Sequence, residues 1–480
     1  MNYPKGAAPL LMSQKNETPV LVLSLLITAG LLGAGFWLLM PRSPVSSNNP
    51  IISQTVSTND RISQGERILV PVESRADNLS FVQEKQAGVA AIVAQQYDRA
   101  VPLLESALQK SRNSPETLIY LNNARIGTNK SYTIAVAVPV SADPNGSLEI
   151  LRGVAQAQSE VNQTSGVKGV PLKVEIVSDD NNPEIAQQLA NTLVQKPEVL
   201  GVVGHYASDV TLAAAGVYNT GGLVCISPVS TTVRLSGFGK YIFRTVPSDY
   251  IAAGALADYT VKTLQQKNVA VFFSSRSDYS QSLKSEFSRA IALAGGQVSG
   301  EYDLSAPDFS AATAIAQSLK LGVKALMLAP NTGTLDKALQ VVQVNQRRMT
   351  LLAGDDVYAP KTLEVGGQQA VDMVISVPWH INGAPGSIFA KKSRSLWGGD
   401  VNWRTAISYD AVQALAAALQ RNSTRSGVQQ ALMSSDFSAT GAAEMVRFLP
   451  SGDRNVGIQL VKVSRGDRFG SGFDFVPVQR

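Results

Sequence analysis

From Tyr132 to near its carboxyl terminus the sequence alternates short apolar runs with longer amphipathic ones, and few folds accommodate that alternation. Apolar runs bounded by Gly, Ser and Asn read as buried parallel strands, because strands covered on both faces carry continuous Val, Ile and Leu rather than a period-two pattern. The spacing predicts strands at 132–140, 172–178, 200–204, 223–226, 241–245, 269–273, 297–302, 325–328 and 350–353. Helices are predicted at 148–162, 184–194 and 208–218, from Ile251 onward, and between each of the last four strands. Strands separated by helices indicate a doubly wound α/β architecture. So long a run exceeds the usual reach of one sheet, and FRTVPSDY at Phe243–Tyr250 reads as a crossing between two lobes. A ligand is then expected in the cleft between them.

Within this run, Leu200–Thr232 places two strands side by side with a helix between them, and each strand ends in small polar residues. In open α/β sheets that carboxyl edge is where small ligands bind. Ser208 follows the first strand and is expected to cap the helix, so that its hydroxyl and the free N–H groups of the first turn can hold an anion such as a carboxylate. Ser230 and Thr231 follow the second strand and are expected to face the same space.

Charged residues make up 16% of the chain and the net charge is +5, without a dense Lys/Arg stripe interleaved with aromatics, so no nucleic-acid partner is expected. The lone cysteine, Cys225, falls in a predicted strand and reads as packing. His205 and His380 lack neighbouring ligands at zinc spacing. Neither a Gly-x-Ser-x-Gly elbow nor a Walker-type phosphate loop is present, so neither an enzymatic activity nor a cofactor is expected.

Val20–Met40 is a run of uncharged residues long enough to cross a bilayer as a helix. Lys5 and Lys15 precede it and Arg42 follows, which favours the amino terminus inside. A cleaved signal peptide is the rival reading, but such segments have shorter apolar cores ending in small residues, whereas this one ends in Phe36, Trp37, Leu38, Leu39 and Met40. The expected arrangement is a cytoplasmic stretch at 1–18, a single-pass anchor in the cytoplasmic membrane at 19–40, and the bulk of the chain on the periplasmic side. Residues 41–76 read as a flexible tether rich in Ser, Pro and Asn. Residues 77–127 show helical spacing, and GVAAIVAQQYDRAVPLLESAL resembles a tetratricopeptide helix pair; a plain helical spacer is the alternative.

Residues 131–480 resemble the type I periplasmic binding proteins, in the Leu/Ile/Val-binding branch that serves ABC importers. The resemblance rests on GVPLKVEIVSDDNNPEIAQQLANTLV, VVGHYASDVTLAAAGVYNTGGLVCISPVSTT, KYIFRTVPSDY, SDYSQSL and VRFLPSGDRNVGIQLVKV, in that order. It implies a two-lobed domain over 130–480, with lobe 1 at about 131–248 and 379–438 and lobe 2 at about 249–378 and 439–480. It also implies a carboxylate-binding Ser208, a loop from Ser227 to Thr231 that includes Ser230, and an ammonium held by a carbonyl near Val229, the Thr231 hydroxyl and Asp356. A lobe-two tyrosine falls on Tyr279. Such a set suits a zwitterion, with donors facing the carboxylate and acceptors facing the ammonium. Several positions depart from the branch: an aromatic becomes Asn145, a second lobe-two tyrosine falls near Asn331, and Asp356 replaces a glutamate. Lost aromatic walls imply either a different, more polar ligand or a degenerate cleft.

The expected function is an extracytoplasmic solute-binding protein that closes its lobes on an amino acid or similar small polar metabolite, with ABC permease subunits as partners. The alternative is a membrane-tethered sensor or scaffold acting through residues 77–127.

Overall fold

The computed structural model describes residues 57–71, 78–384 and 386–479. A turn of 3-10 helix at Thr58–Arg61 leads into a two-residue strand, β1 (Ile62–Ser63). Helices α1 (Leu79–Val93), α2 (Tyr97–Lys110) and α3 (Pro115–Ile126) follow. The first lobe then alternates β2 (Tyr132–Val138), α4 (Pro144–Gln163), β3 (Leu172–Ser178), α5 (Pro183–Val194), β4 (Val199–Val203), α6 (Ser208–Gly221), β5 (Cys225–Ser227) and β6 (Ile242–Arg244). The second lobe carries α7 (Asp249–Asp258), β7 (Asn268–Phe273), α8 (Asp278–Leu293), β8 (Gln297–Asp303), α9 (Ala311–Lys320), β9 (Ala325–Ala329), α10 (Leu335–Asn345), β10 (Thr350–Ala353), α11 (Pro360–Ala370) and β11 (Val374–Val377). Helices α12 (Ile388–Trp397), α13 (Trp403–Arg421) and α14 (Arg425–Met433) return to the first lobe, and β12 (Gln459–Arg465) and β13 (Phe473–Pro477) complete the second sheet.

The first sheet has the order β1-β3-β2-β4-β5-β6 and the second β13-β12-β11-β10-β9-β7-β8. Each predicted strand is present, and β2 to β6 and β7 to β11 pair in parallel. Ile134, Val136, Val174 and Ile176 are fully buried, as strands covered on both faces require. Against this sheet α4 and α13 pack so closely that a Cβ on Gly153 would stand 2.2 Å from the Thr405 carbonyl oxygen. Among the described residues, three segments cross between lobes, at 245–248, at 378–384 with 386–387, and at 434–458. Arg244 braces the crossings: fully buried, it donates to Asp453 Oδ1 at 2.6 Å and to the carbonyls of Thr231 and Thr232 at 2.7 Å each.

The amino-terminal region corrects the expectation of a tether through residue 76. Residues 57–71 are built into lobe 1: β1 pairs antiparallel with β3, Ile62 opposite Val177 and Ser63 opposite Ile176. Further along β3, the Asn123 side chain accepts from the Val174 N–H at 3.1 Å and donates to its carbonyl at 2.7 Å, in the manner of another strand. An unpaired strand edge is a site of aggregation, and these contacts cover it. Ile119 and Tyr120 of α3 are fully buried, so α3 belongs to the core of lobe 1. At the centre of the region the buried Glu116 carboxylate accepts from the N–H groups of Leu69 (2.7 Å) and Val70 (2.9 Å), from the Tyr120 hydroxyl (3.0 Å) and from Lys85 Nζ (2.6 Å). The expected tetratricopeptide-like unit is, in the structure, an α1–α2 hairpin whose following helix is buried under a different domain.

The expected membrane anchor at Val20–Met40 lies outside the described residues, and among the described residues no helix is long and apolar enough to cross a membrane.

Two outcomes follow from this packing. Glu116→Gln leaves the Lys85 ammonium buried without a counter-charge and should destabilise the chain by about 3–5 kcal/mol in urea unfolding. A fragment beginning at Ser131 loses β1 and Asn123 from the β3 edge, so it should unfold at lower temperature than the chain from residue 57 and self-associate, as read by calorimetry and light scattering; equal melting of the two would contradict this.

Candidate functional site

The carboxyl ends of the parallel strands of both lobes meet at one cleft. After β4 the chain runs through Gly204 and His205 to Tyr206, Ala207 and the start of α6; after β5 it runs through the 228–232 loop. Ser227 Oγ donates to the His205 carbonyl at 3.0 Å and accepts from the Ser230 N–H at 3.0 Å, tying the two loops together. His205 is fully buried, its Nδ1 2.6 Å from Asp179 Oδ2 and its Nε2 3.0 Å from the Tyr218 hydroxyl, which joins the loop after β3 to the same assembly. Cys225 is buried and donates to the Gly204 carbonyl at 3.1 Å, with burial pushing its thiol pKa up.

In lobe 2 the ends of β7, β9 and β10 present Ser277–Tyr279, Asn331–Gly333 and Gly354–Asp356 to that cleft. Tyr279 donates from its hydroxyl to Asp355 Oδ1 at 2.7 Å. Gly354 permits this approach: a Cβ there would lie 2.4 Å from the Tyr279 hydroxyl. Together the two lobes enclose a cavity of about 320 Å³. That volume is in the range of small-molecule sites.

Four of the six predicted site residues line this cavity: Ser208, Val229, Tyr279 and Asp356. Ser208 departs from its expected cap role. The N-cap is Ala207, Ser208 is the first helical residue, and its hydroxyl is buried without a hydrogen-bond partner. Ser230 lies behind the lining, its hydroxyl 2.6 Å from Thr211 Oγ1 and donating to the Tyr206 carbonyl at 3.1 Å, so it holds loops together. Thr231 is buried behind the lining as well, next to Asp249, to which its backbone carbonyl is joined by an N–H bond of 2.9 Å.

Asp356 does not stand free to meet an ammonium. Arg404 Nη2 reaches its Oδ1 at 2.9 Å, and the guanidinium stacks 4.3 Å from the Trp403 ring centroid and 5.5 Å from that of Tyr206. Arg404 was missed from the sequence. The signal for it is an arginine in the first turn of a buried helix, where a cation opposes the helix dipole and so needs another reason to be there. Asp355, one residue upstream, lines the cavity, accepts from the Tyr279 hydroxyl and makes no ion pair among the described residues, although the Arg404 charge acts on it at longer range.

Burial dominates the electrostatics here. It raises Asp356 to about 7, with Arg404 opposing and Asp355 and Asp143 adding to the rise. It raises Asp355 as well, against the pull of Arg404 and the Tyr279 hydroxyl. Asp249 is lifted to about 7 by burial, and Asp209 to about 6 by burial and its neighbour Asp278. Asp209 and neighbouring polar contacts also hold the lobes together. Asp209 Oδ1 accepts from the Asp278 N–H at 2.5 Å, Ser282 Oγ accepts from the Val233 N–H at 3.1 Å, and Arg234 pairs with Asp278.

Comparison with known proteins gives the same picture. A leucine-specific-binding protein from Salmonella typhimurium is 24% identical over 313 residues, covering 63% of this chain and 80% of that protein. An amino acid binding protein from Pseudomonas aeruginosa is 33% identical over 140 residues, 29% of this chain and 37% of that protein. Among solved structures, an ABC transporter substrate-binding protein from Desulfitobacterium hafniense in complex with Leu superposes with a TM-score of 0.63 at 21% identity, over 72% of this chain and all of that one. A solute-binding protein from Rhodopseudomonas palustris in complex with 3,4-dihydroxybenzoic acid gives 0.63 at 17% identity, over 72% of this chain and 96% of that one. These two likenesses establish the fold. The model of the periplasmic binding protein family matches residues 131–467, well over half the sequence, and the chain belongs to that family.

Proposed function

We propose that this chain is an extracytoplasmic solute-binding protein that closes its lobes on an amino acid with a polar side chain and delivers it to an ABC-type importer. The observation that carries the reading is the buried, unpartnered Ser208 hydroxyl at the start of α6, facing a cavity whose other lobe presents Asp355. Ser208 and the free N–H groups of the first turn of α6 suit an α-carboxylate. Asp355, rather than the paired Asp356, suits the α-ammonium, with Tyr279 fixing its carboxylate and the chain at Val229 closing the site. Amino acids are named as ligands of the leucine-specific and other amino acid binding relatives, which supports the ligand class.

A polar side chain fits the remainder of the lining better than a branched aliphatic one. Asn181 Oδ1 is buried without a partner, Arg276 has no ion pair among the described residues, and Asn331 Oδ1 already accepts from Thr334, leaving its amide nitrogen to donate. Asn331 thus stands in the wall where the family resemblance places a tyrosine, whereas Asn145 is exposed and outside the lining. A group that both donates and accepts, such as a carboxamide, satisfies these atoms, whereas an aliphatic chain leaves them unpaired.

The tethered-sensor reading is favoured by one observation, the integration of residues 57–71 and α3 into lobe 1. The single-pass anchor at 19–40 and the tetratricopeptide-like surface of 77–127 belong to that proposal.

Calorimetric titration with the twenty common amino acids tests the site. Ser208→Ala and Asp355→Asn each remove a charge-assisted hydrogen bond of roughly 1.5–3 kcal/mol, so affinity should fall about tenfold to a hundredfold. Asp356→Asn should instead lower stability, because Arg404 is then buried without its counter-charge. Wild-type affinity in both the Ser208 and Asp355 variants would overturn the assignment.

The raised carboxylates set a pH dependence. Asp249 near 7 and Asp209 near 6 bind protons in the folded state that they release in the unfolded chain above about pH 4. Their contribution to stability is therefore full below that pH and is lost as pH rises towards 7. Ligand affinity should move oppositely, rising with pH as Asp355, raised by burial, ionises. The unliganded protein should melt lower at pH 8 than at pH 5, with a smaller difference in Asp249→Asn.

A further inference from the structure

The loop after β3 brings Asn181 to the cavity, and its backbone does so in an unfavourable conformation. Asp180 at φ 48° and Asn181 at φ 57° are two consecutive left-handed residues without glycine. Such conformations persist only where the surroundings hold them. The Asp179 Oδ1 atom accepts from the Asn181 N–H at 2.9 Å. Asp180 Oδ1 accepts from the Ser141 N–H at 3.0 Å and from the Ser178 hydroxyl at 3.1 Å.

The remaining oxygen of Asp180 is held from outside the family domain. Arg61 Nη1 reaches Asp180 Oδ2 at 2.7 Å and donates to the Ser178 carbonyl at 3.3 Å. Arg61 closes the 3-10 turn that enters β1, and β1 is itself pinned to β3 beside the loop. Its side chain is 15% exposed and that of Asp180 25%, so the pair is shielded from solvent more than an ordinary surface bridge. Burial raises the Asp180 carboxyl, yet Arg61, Ser141 and Ser178 together hold it below the usual carboxylate range. The residue so supported carries a buried acceptor, Asn181 Oδ1, that has no protein partner and lies in the cavity wall.

We propose that Arg61 is a positioning residue for the ligand site: it locks the Asp180–Asn181 turn so that Asn181 Oδ1 meets a donor on the ligand, which links the segment at 57–71 to ligand occupancy. This rests on the reading of the cavity as an amino acid site. Because linkage is reciprocal, a ligand held by Asn181 stabilises the Arg61–Asp180 contact as much as that contact favours the ligand. The amino-terminal segment thereby senses occupancy without touching the ligand.

The full chain carrying Arg61→Met tests this with two readouts. Hydrogen exchange of the Asn181 amide should quicken about tenfold while amides of Ile134–Val138 in β2 stay unchanged, a result that does not depend on any ligand. Affinity for each amino acid that the wild type binds should fall on the order of tenfold, with Arg61→Lys recovering most of it. In the wild type, those same amino acids should slow exchange at Ile62 and Ser63. Unchanged exchange at Asn181 would overturn the support of the loop by Arg61. A loosened loop with unchanged affinity would overturn its role in binding while leaving the cavity reading intact. Failure of the wild type to bind any of the twenty would overturn the cavity reading and this inference with it.

Discussion

The ion pair of Arg404 with Asp356 joins the two lobes at the cleft with both side chains largely removed from solvent, and the surrounding cleft is organised around the cost of that burial. Removing carboxylates from water is unfavourable unless cations or donors replace the solvent. Asp356 has Arg404, Asp355 has the Tyr279 hydroxyl, and Asp209 has a backbone N–H from the opposite lobe. Each of these partners fixes a loop at the carboxyl end of a strand, so the polar compensation and the shaping of the cavity are done by the same contacts.

The region before residue 131 is joined to the same site through lobe 1. Its strand and the Asn123 side chain cover the outer edge of β3, while Arg61 reaches the loop at the carboxyl end of that strand. Stability and site geometry therefore share a support that lies outside the span of the family model.

Much of the α/β frame was legible because buried parallel strands are written as continuous apolar runs, and β2 to β10 fall where those runs lie. The antiparallel strands β12 and β13 at the sheet edge were not, since half-buried, polar-rich segments such as Gln459–Arg465 carry no such signal. At the site, the small polar clusters after β4 and β5 pointed to the correct sheet edge, but periodicity cannot say which hydroxyl is free. Ser230 turned out to be occupied by Thr211, and Ser208 lies one residue past the cap. Adjacent acids in AGDD were indistinguishable by pattern; only the distant Arg404 separates Asp356 from Asp355. The short β1, two residues long and embedded in a polar stretch, read as tether because its pairing partner is more than a hundred residues away.

The central claim, that the cavity holds an amino acid through Ser208 and Asp355 and reads its side chain through polar groups, is tested most directly by calorimetric titration with L-asparagine and L-leucine. These two side chains have nearly the same shape and differ in hydrogen bonding. A site whose polar groups need partners rejects the analogue that cannot supply them, so asparagine should bind at least about tenfold more tightly than leucine. Tighter binding of leucine, or binding of neither, would contradict the account.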